Sequence, residues 1–443
     1  MSYLSLTEGD REAMLAAIGL ASVDNLFDDI PAEVRFGREL DLEPALSEQE
    51  IVAHLTELAE RNADTGKELS FLGAGIYDHY VPAAVDAVLS RGEFLTAYTP
   101  YQPEMSQGIL QAIFEYQTVI CELTGLDVSN ASGYDGTTVA ADACFVAKHA
   151  TGRDKVVLCE TLSPQVRQVV KTYAPGFGLE VVEVAHREGV TDADELRAAS
   201  SEAACVIFQQ PNFFGCLEPA PDLAAASNEA GALAVAHVDP VSLGVLEAPG
   251  SYGCALAIGE GQSAGNYQSY GGPHYGFIAA RSDLIRRMPG RIVGETTDLR
   301  GERGYVLTLQ TREQHIRREK ATSNITTNQT LLALAGLVHL SWLGPQGLRE
   351  LGETCMSLGD YAKERLASAL VFPERATFKE FAVRVGRSAT DVVREARERG
   401  VHPGYALGRD YPGLDDALLV AVTERRSPAD IDRLAEVLDE VAG

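Results

Sequence analysis

The chain has 443 residues, of which 45% are hydrophobic, so it is long enough for one large domain with its own core and one smaller domain. Its formal net charge of −27 argues against nucleic-acid binding, because a phosphate backbone needs a basic footprint. The sequence has no run of about 18 apolar residues and no basic-flanked leader, so we expect a cytoplasmic protein without a membrane span.

The acidic residues are spread along the chain, and arginine outnumbers lysine 30 to 7. Dispersed acidic charge is typical of the proteome of a salt-adapted (halophilic) organism, where screening makes self-repulsion tolerable, although an ordinary acidic enzyme is the alternative. The seven cysteines form no CxxC pair. We expect them to be core residues rather than metal ligands or disulfides.

Residues 1–65 are predicted to form an N-terminal arm. Ser47 is the expected cap of a helix in this arm. The helix shows an apolar stripe of helical period, made of Ile51, Val52, Leu55, Leu58 and Ala59. We expect the arm to wrap over a neighbouring domain or subunit.

Residues 66–325 are predicted to form a large α/β domain. Short apolar runs recur at a spacing of roughly 25 residues, as a strand, a crossover helix and the next parallel strand require. The predicted strands cover 156–159, 180–185, 205–209, 232–238 and 255–258. This pattern indicates a mostly parallel sheet with helices on both faces, and ligands bind such sheets at the carboxyl ends of the strands.

Residues 326–443 are predicted to form a small α+β domain. Its predicted elements are a helix over 331–343 ended by Gly344-Pro345, a strand over 378–385, a helix over 389–399, a strand over 418–422 and a last helix that begins after Ser427.

A small-residue turn at Gly136 leads into an alanine-rich helix. The backbone amides of Gly136 and Thr137 would face a helix N-terminus, where a phosphate is favoured. Plain helix capping is the more common explanation of such a start.

Asp239 follows a predicted buried strand. In pyridoxal-phosphate enzymes an aspartate at this place pairs with the ring nitrogen of the cofactor, whereas the structural alternative is that Asp239 caps the turn at Pro240. Such an enzyme also needs a Schiff-base lysine, and no lysine lies about 20 to 30 residues beyond Asp239. Lys320 comes much later, among charged neighbours that indicate a surface ion cluster.

A proline-braced loop precedes a further helix and carries Tyr98, Tyr101, Gln102 and Glu104. These side chains could present polar groups to a pocket, or the tyrosines could pack under the arm. The sequence leaves both explanations open.

Several segments together resemble the P-protein family of the glycine cleavage system. They are 98–102 with Glu104, 106–108, 116–117, 122–125, 259–263, 271–273 with 276–277, and 318–325. Within that family the enzyme is one long chain or two separate halves, and a chain of this length without the lysine resembles the N-terminal half. An alignment of the two halves puts Ser263 opposite the lysine of the other half.

The resemblance implies a pyridoxal-phosphate transferase fold of fold type I, in a glycine-decarboxylating enzyme with two copies of each of two subunits. The lysine-bearing subunit 2 would hold the cofactor covalently, and glycine would lose its carboxylate as carbon dioxide. The aminomethyl group would then pass to the lipoylated H-protein. This chain would complete the wall of that active site through Tyr98, Tyr101, Gln102 and Glu104. A vestigial cofactor site would remain at Gly136, Thr137, Asp239 and Ser263.

Three alternatives stay open. The chain could be a self-contained pyridoxal-phosphate enzyme of the aminotransferase or desulfurase type that uses Lys320 or another, unrecognised lysine. It could be a non-catalytic scaffold, or its vestigial pocket could hold a noncovalent ligand.

Overall fold

The computed structural model describes residues 5–321, 325 and 328–442. Contacts between residues divide the chain into two units, Met1–Ala63 and Asp64–Gly443. The helices are α1 Glu8–Ala17, α2 Glu48–Glu60, α3 Ala83–Leu89, α4 Gly92–Leu95, α5 Gln107–Thr124, α6 Gly136–Thr151, α7 Pro164–Phe177, α8 Ala193–Ala199, α9 Ala220–Glu229, α10 Gln314–Arg317, α11 Thr330–Arg365, α12 Ala389–Arg397 and α13 Pro428–Ala442. The strands are β1 Leu69–Ser70, β2 Val128–Ser129, β3 Lys155–Cys159, β4 Glu180–Val184, β5 His186–Arg187, β6 Val190–Thr191, β7 Ala203–Gln210, β8 Leu233–Val238, β9 Leu256–Glu260, β10 Gly276–Ala280, β11 Ile292–Thr297, β12 Arg303–Thr308, β13 Glu380–Arg384, β14 Val401–His402, β15 Tyr405–Ala406 and β16 Ala417–Ala421.

The N-terminal unit contains the helix predicted from the apolar stripe. Ser47 caps α2 in a capping box, in which the Glu50 amide donates to the Ser47 hydroxyl at 3.4 Å and the Ser47 amide donates to the Glu50 carboxylate at 2.8 Å. No side chain described in residues 5–63 is buried. The apolar face of α2 is therefore open, with Val52 and Leu55 each more than half exposed.

A seven-stranded sheet forms the centre of the second unit, in the order β2-β10-β9-β8-β7-β3-β4. Strands β9, β8, β7, β3 and β4 are parallel, which confirms the predicted α/β class and all five predicted strands. Strand β10 runs antiparallel to β9, and β2 runs antiparallel to β10. These last two strands were not predicted, because no crossover helix of regular spacing announces them.

Helices cover both faces of this sheet, as the sequence predicts. One face packs against α5, α8, α9 and the first part of α11, and the other packs against α6 and α7. Because both faces are buried, β7 is apolar over most of its length rather than alternating.

The predicted elements of the small lobe are also present. Strands β13, β16 and β15 form an antiparallel sheet that shares a core with α12, α13 and the end of α11. Gly344 takes a non-helical conformation with φ 63°, so the helical run breaks where the sequence predicts and then continues to Arg365. Strand β1 pairs with β14, which joins the segment after residue 64 to this lobe. The lobe boundary at 326 stays a prediction.

By length and composition alone, α11 could also cross a membrane. In this structure its first half is a core helix, because Ala333, Leu334 and Leu337 pack into the main hydrophobic cluster under the sheet. Six of the seven cysteines are buried, as expected of core residues.

Candidate functional site

The candidate site lies at the carboxyl edge of the parallel sheet, where β8 and β9 end next to each other. Asp239 directly follows β8, and Ser263 lies in the turn after β9. The Ser263 hydroxyl donates to Oδ1 of Asp239 at 2.5 Å. The other oxygen of Asp239, Oδ2, lies 2.8 Å from Nζ of Lys379, which comes from the small lobe.

The buried carboxylate of Asp239 is held in its charged form. Burial by itself would raise the pKa of Asp239, but the positive charge of Lys379, with interactions of His79 and Ser263, outweighs burial and lowers it. The side chain of Lys379 is 2% exposed, so this ion pair is almost fully removed from water.

A second layer of polar contacts surrounds the pair. Lys379 Nζ lies 3.0 Å from Nε2 of His79, whose Nδ1 lies 2.7 Å from the Glu424 carboxylate. Lys379 Nζ also lies 3.5 Å from the centre of the Tyr77 ring, a cation–π geometry. The Tyr77 hydroxyl donates to Glu380 at 2.8 Å. Burial raises the pKa of Glu380 to about 7, whereas the interaction with His79 outweighs burial and lowers the pKa of Glu424 to about 2.

The N-terminus of α6 lies beside the end of β9, at the place predicted for a phosphate. The Gly136 amide donates to Glu260 at 3.0 Å. Oδ1 of Asp135 accepts from the amides of Thr137 at 3.0 Å and Thr138 at 2.7 Å. These carboxyl oxygens therefore take the donors that an incoming anion would need, so the capping explanation is the one that the geometry favours.

Glycine is required at 136 by the closeness of β9. A Cβ at this position would lie 2.7 Å from the backbone nitrogen of Glu260. This tight approach brings the Glu260 side chain over the helix start. Burial, with the nearby charge of Asp135, raises the pKa of Glu260 to about 8, although the hydrogen bond from the Gly136 amide acts in the opposite direction.

The residues present do not fit pyridoxal phosphate. The cavity beside Asp239 measures about 40 Å³, against roughly 300–1,000 Å³ for sites that bind small molecules and cofactors. Both oxygens of Asp239 are already engaged, Oδ2 with Lys379 and Oδ1 with Ser263, and the donors of α6 are already paired. The lysine at this site pairs with a carboxylate and comes from a different lobe than a Schiff-base lysine after β9 would.

Comparisons with known proteins decide the family. The model of the family "Glycine cleavage system P-protein" matches residues 1–438. The chain belongs to this family. Relatives named probable glycine dehydrogenase (decarboxylating) subunit 1 are similar over nearly their whole length: 49% identity in Anoxybacillus flavithermus, covering 99% of this chain and 98% of the relative, and 50% in Moorella thermoacetica, covering 99% of each.

Solved structures agree with the P-protein assignment. The crystal structure of glycine decarboxylase (P-protein) of the glycine cleavage system, in inhibitor-bound form, matches with a TM-score of 0.91 and 42% identity and covers 100% of both chains. A cysteine desulfurase from Thermococcus onnurineus shares only the fold, with a TM-score of 0.63 and 15% identity over 85% of this chain and 95% of that chain. The fold is thus that of the pyridoxal-phosphate enzymes of fold type I, as the resemblance implied.

The loop that we expect to face an active site lies away from the Asp239 cavity. It borders a separate open groove of about 490 Å³ lined by Tyr98 and Met105 among others. The Tyr98 side chain is 81% exposed, and Gln102 and Glu104 are exposed as well. Tyr101 is fixed in place, because its hydroxyl donates to Asn328 at 3.0 Å and the Arg291 guanidinium lies 4.1 Å from its ring centre.

Lys320 does not take part in the Asp239 site. It is exposed at the end of a short 3-10 helix and does not line the cavity. Part of the family segment 318–325 falls outside the described residues.

Sequence reasoning missed the role of Lys379. The available signal was a Lys-Glu pair at the start of a strand that is otherwise apolar, since a charged pair at a buried position needs a partner from elsewhere in the fold.

The raised pKa of Glu260 predicts a pH effect on stability. A carboxyl whose pKa is about 8 when folded and near its ordinary value when unfolded contributes stability at low pH, and that contribution is lost as the pH rises towards 8. We expect Glu260→Gln to flatten the decline in the free energy of unfolding between about pH 5 and pH 8, measured by urea denaturation. Glu195→Gln, at an exposed position on α8, is the matched control and should leave the slope unchanged. An unchanged slope in Glu260→Gln would show that Glu260 is ionised throughout this range.

Proposed function

We propose that this chain acts as the subunit that lacks the Schiff-base lysine in a two-subunit glycine dehydrogenase (decarboxylating). The observation that carries the proposal is the combination of full-length P-protein membership with a cofactor pocket that its own side chains fill. Pyridoxal phosphate, when bound in the complex, supplies an electron sink for the carbanion formed on decarboxylation. The partner subunit, subunit 2, holds it on its own lysine.

The contribution of this chain to the chemistry is the loop of Tyr98, Tyr101, Gln102 and Glu104, which completes the wall of the partner's active site. Its rigidity supports this assignment, because Tyr101 is held at both its hydroxyl and its ring. A fixed wall orients glycine and excludes water from the reacting atoms. The exposed Tyr98 and the open groove beside it leave room for a partner surface.

The exposed apolar surface of the N-terminal unit is evidence for an obligate partner. A 59-residue stretch, 5–63, without one buried side chain has no core of its own to keep it folded. Its exposed apolar side chains are Leu6, Met14, Ile18, Val23, Leu26, Phe27, Ile30, Val34, Phe36, Leu40, Leu42, Leu46, Ile51, Val52, Leu55 and Leu58. Burial of such a surface suits an interface of the obligate class, above about 2,000 Å².

The assembly that we propose contains two copies of each subunit, works in the cytoplasm and delivers the aminomethyl group to the lipoylated H-protein. Salt adaptation of this acidic chain is part of the same proposal. The self-contained enzyme is not supported, because Lys320 is remote from the Asp239 cavity.

The function is tested by comparing this chain alone with the chain mixed with its lysine-bearing partner. We expect visible cofactor absorption and exchange of labelled carbon dioxide into glycine only in the mixture, because the Schiff-base lysine is on the partner. Borohydride-trappable colour in this chain alone would refute the proposal. Full exchange by the partner alone would favour the scaffold alternative.

The loop assignment predicts a loss of turnover in the assembled complex. We expect Tyr98→Phe and Gln102→Ala each to lower kcat at least about tenfold, the loss of one positioning contact, with the complex still formed. Tyr173→Phe on α7, also at a partly exposed tyrosine, is the control and should keep full turnover. Normal turnover in both loop variants would place the wall of the active site elsewhere.

The open face of α2 predicts a defect in assembly. Leu55→Asp puts a charge on the apolar face and should abolish co-purification with the partner, whereas Thr56→Asp, one residue along the same helix, should not. Size-exclusion chromatography of each mixture distinguishes the two results. Equal assembly by both variants would exclude α2 from the interface.

A further inference from the structure

Lys379 plays no part in the proposed reaction, yet it lines the cavity beside Asp239, where the cofactor binds in a pyridoxal-phosphate enzyme. It precedes β13 in a left-handed conformation with φ 46°, which is unusual for a residue other than glycine. Strain of this kind persists only where surrounding contacts hold it. Here the contacts are the ion pair with Asp239, the approach to His79 and the ring of Tyr77.

Lys379 carries the same charge as the protonated pyridine ring of the cofactor. An aspartate at the end of this strand faces a protonated ring nitrogen in pyridoxal-phosphate enzymes. In this chain the ammonium of Lys379 provides the positive charge at Asp239 instead.

At the N-terminus of α6, carboxyl oxygens of this chain accept the hydrogen bonds that a phosphate would accept. A phosphate at a helix start accepts hydrogen bonds from the first amides. Here Asp135 accepts from the Thr137 and Thr138 amides and from both hydroxyls, and Glu260 accepts from the Gly136 amide.

We infer that Lys379 takes the place of the cofactor's ring cation and that Asp135 and Glu260 take the place of its phosphate oxygens, so that side chains of this chain itself close the pocket. The inference concerns this chain alone and does not depend on the proposed reaction. Its structural basis is that the two halves of one binding site lie at the ends of the neighbouring strands β8 and β9. Lys379 fills the first half with a matching charge, and Asp135 and Glu260 fill the second with matching hydrogen-bond acceptors.

The role of Lys379 as the cation of Asp239 is tested by removing the charges singly and together in the full chain. Lys379→Met leaves Asp239 buried without a cation and should lower the thermal midpoint by roughly 5–10 °C. The double variant Lys379→Met/Asp239→Asn should regain most of this loss, because no unpaired charge remains. Lys171→Met, at an exposed lysine that pairs with Glu183 on the surface, is the control and should change the midpoint little. A double variant no more stable than Lys379→Met would overturn the inference.

The replacement of the cofactor by these side chains is tested with two probes that cannot form Schiff bases. Deoxypyridoxine carries the ring nitrogen without aldehyde or phosphate, and inorganic phosphate carries only the anion. We expect millimolar deoxypyridoxine to raise the thermal midpoint of Lys379→Ala, and inorganic phosphate to raise that of Asp135→Ser/Glu260→Ala, with neither probe acting on the other variant.

The unchanged chain should respond to neither probe. A shift of the unchanged chain would mean that the pocket is open, and no shift in either variant would mean that these side chains do not replace the cofactor. Either result overturns the inference. If an alanine variant does not fold, the comparison of Lys379→Met with the double variant decides. Neither assay involves glycine or the partner subunit, so a failure here is distinguishable from a failure of the proposed function.

Discussion

The buried ion pair between Asp239 and Lys379 is the contact on which the arrangement of the site depends. It joins the end of a central strand of the large sheet to the first strand of the small lobe. A pair of this kind adds little net stability when intact, but loss of one partner costs about 3–5 kcal/mol because the other charge stays buried. The pair has further contacts: Lys379 Nζ lies by Nε2 of His79 and over the ring of Tyr77, and Asp239 accepts a hydrogen bond from Ser263.

Packing constrains the layers of this fold. Both faces of the parallel sheet carry hydrophobic clusters, and the strands cannot change without loss of that packing. The carboxyl edge of the sheet is less constrained, since its residues contact loops and the small lobe. Functional residues at this edge can therefore differ between proteins of this fold while the layers beneath it stay the same.

Much of this fold is predictable from the sequence, because strands and helices leave a local period. The five parallel strands, the caps at Ser47 and Ser427 and the break at Gly344 all follow from short-range patterns. Strand β10 does not, since its pairing with β9 depends on a long loop of irregular shape.

The site itself is harder to predict. Asp239 is recognisable as a strand-end carboxylate, but its partner lies 140 residues further along the chain, and no period or spacing relates positions 239 and 379. Glu260 lies in the segment 259–263, which resembles the P-protein family, and nothing in that segment indicates its hydrogen bond with the Gly136 amide. The contacts that close the pocket join residues far apart in the chain. The sequence therefore indicates the fold of a cofactor enzyme, but not which side chains occupy its pocket.

The hydrogen bond from Ser263 to Asp239 has a consequence for protein engineering. A lysine placed at position 263 would bring a second ammonium group to a carboxylate that already has one, inside a cavity of about 40 Å³. An independent cofactor site would therefore need further changes at the small lobe and at the start of α6, each unfavourable by itself. A chain that binds the cofactor alone cannot be engineered from this one by a single substitution, because residue 263, Lys379 and the carboxylates at α6 would have to change together.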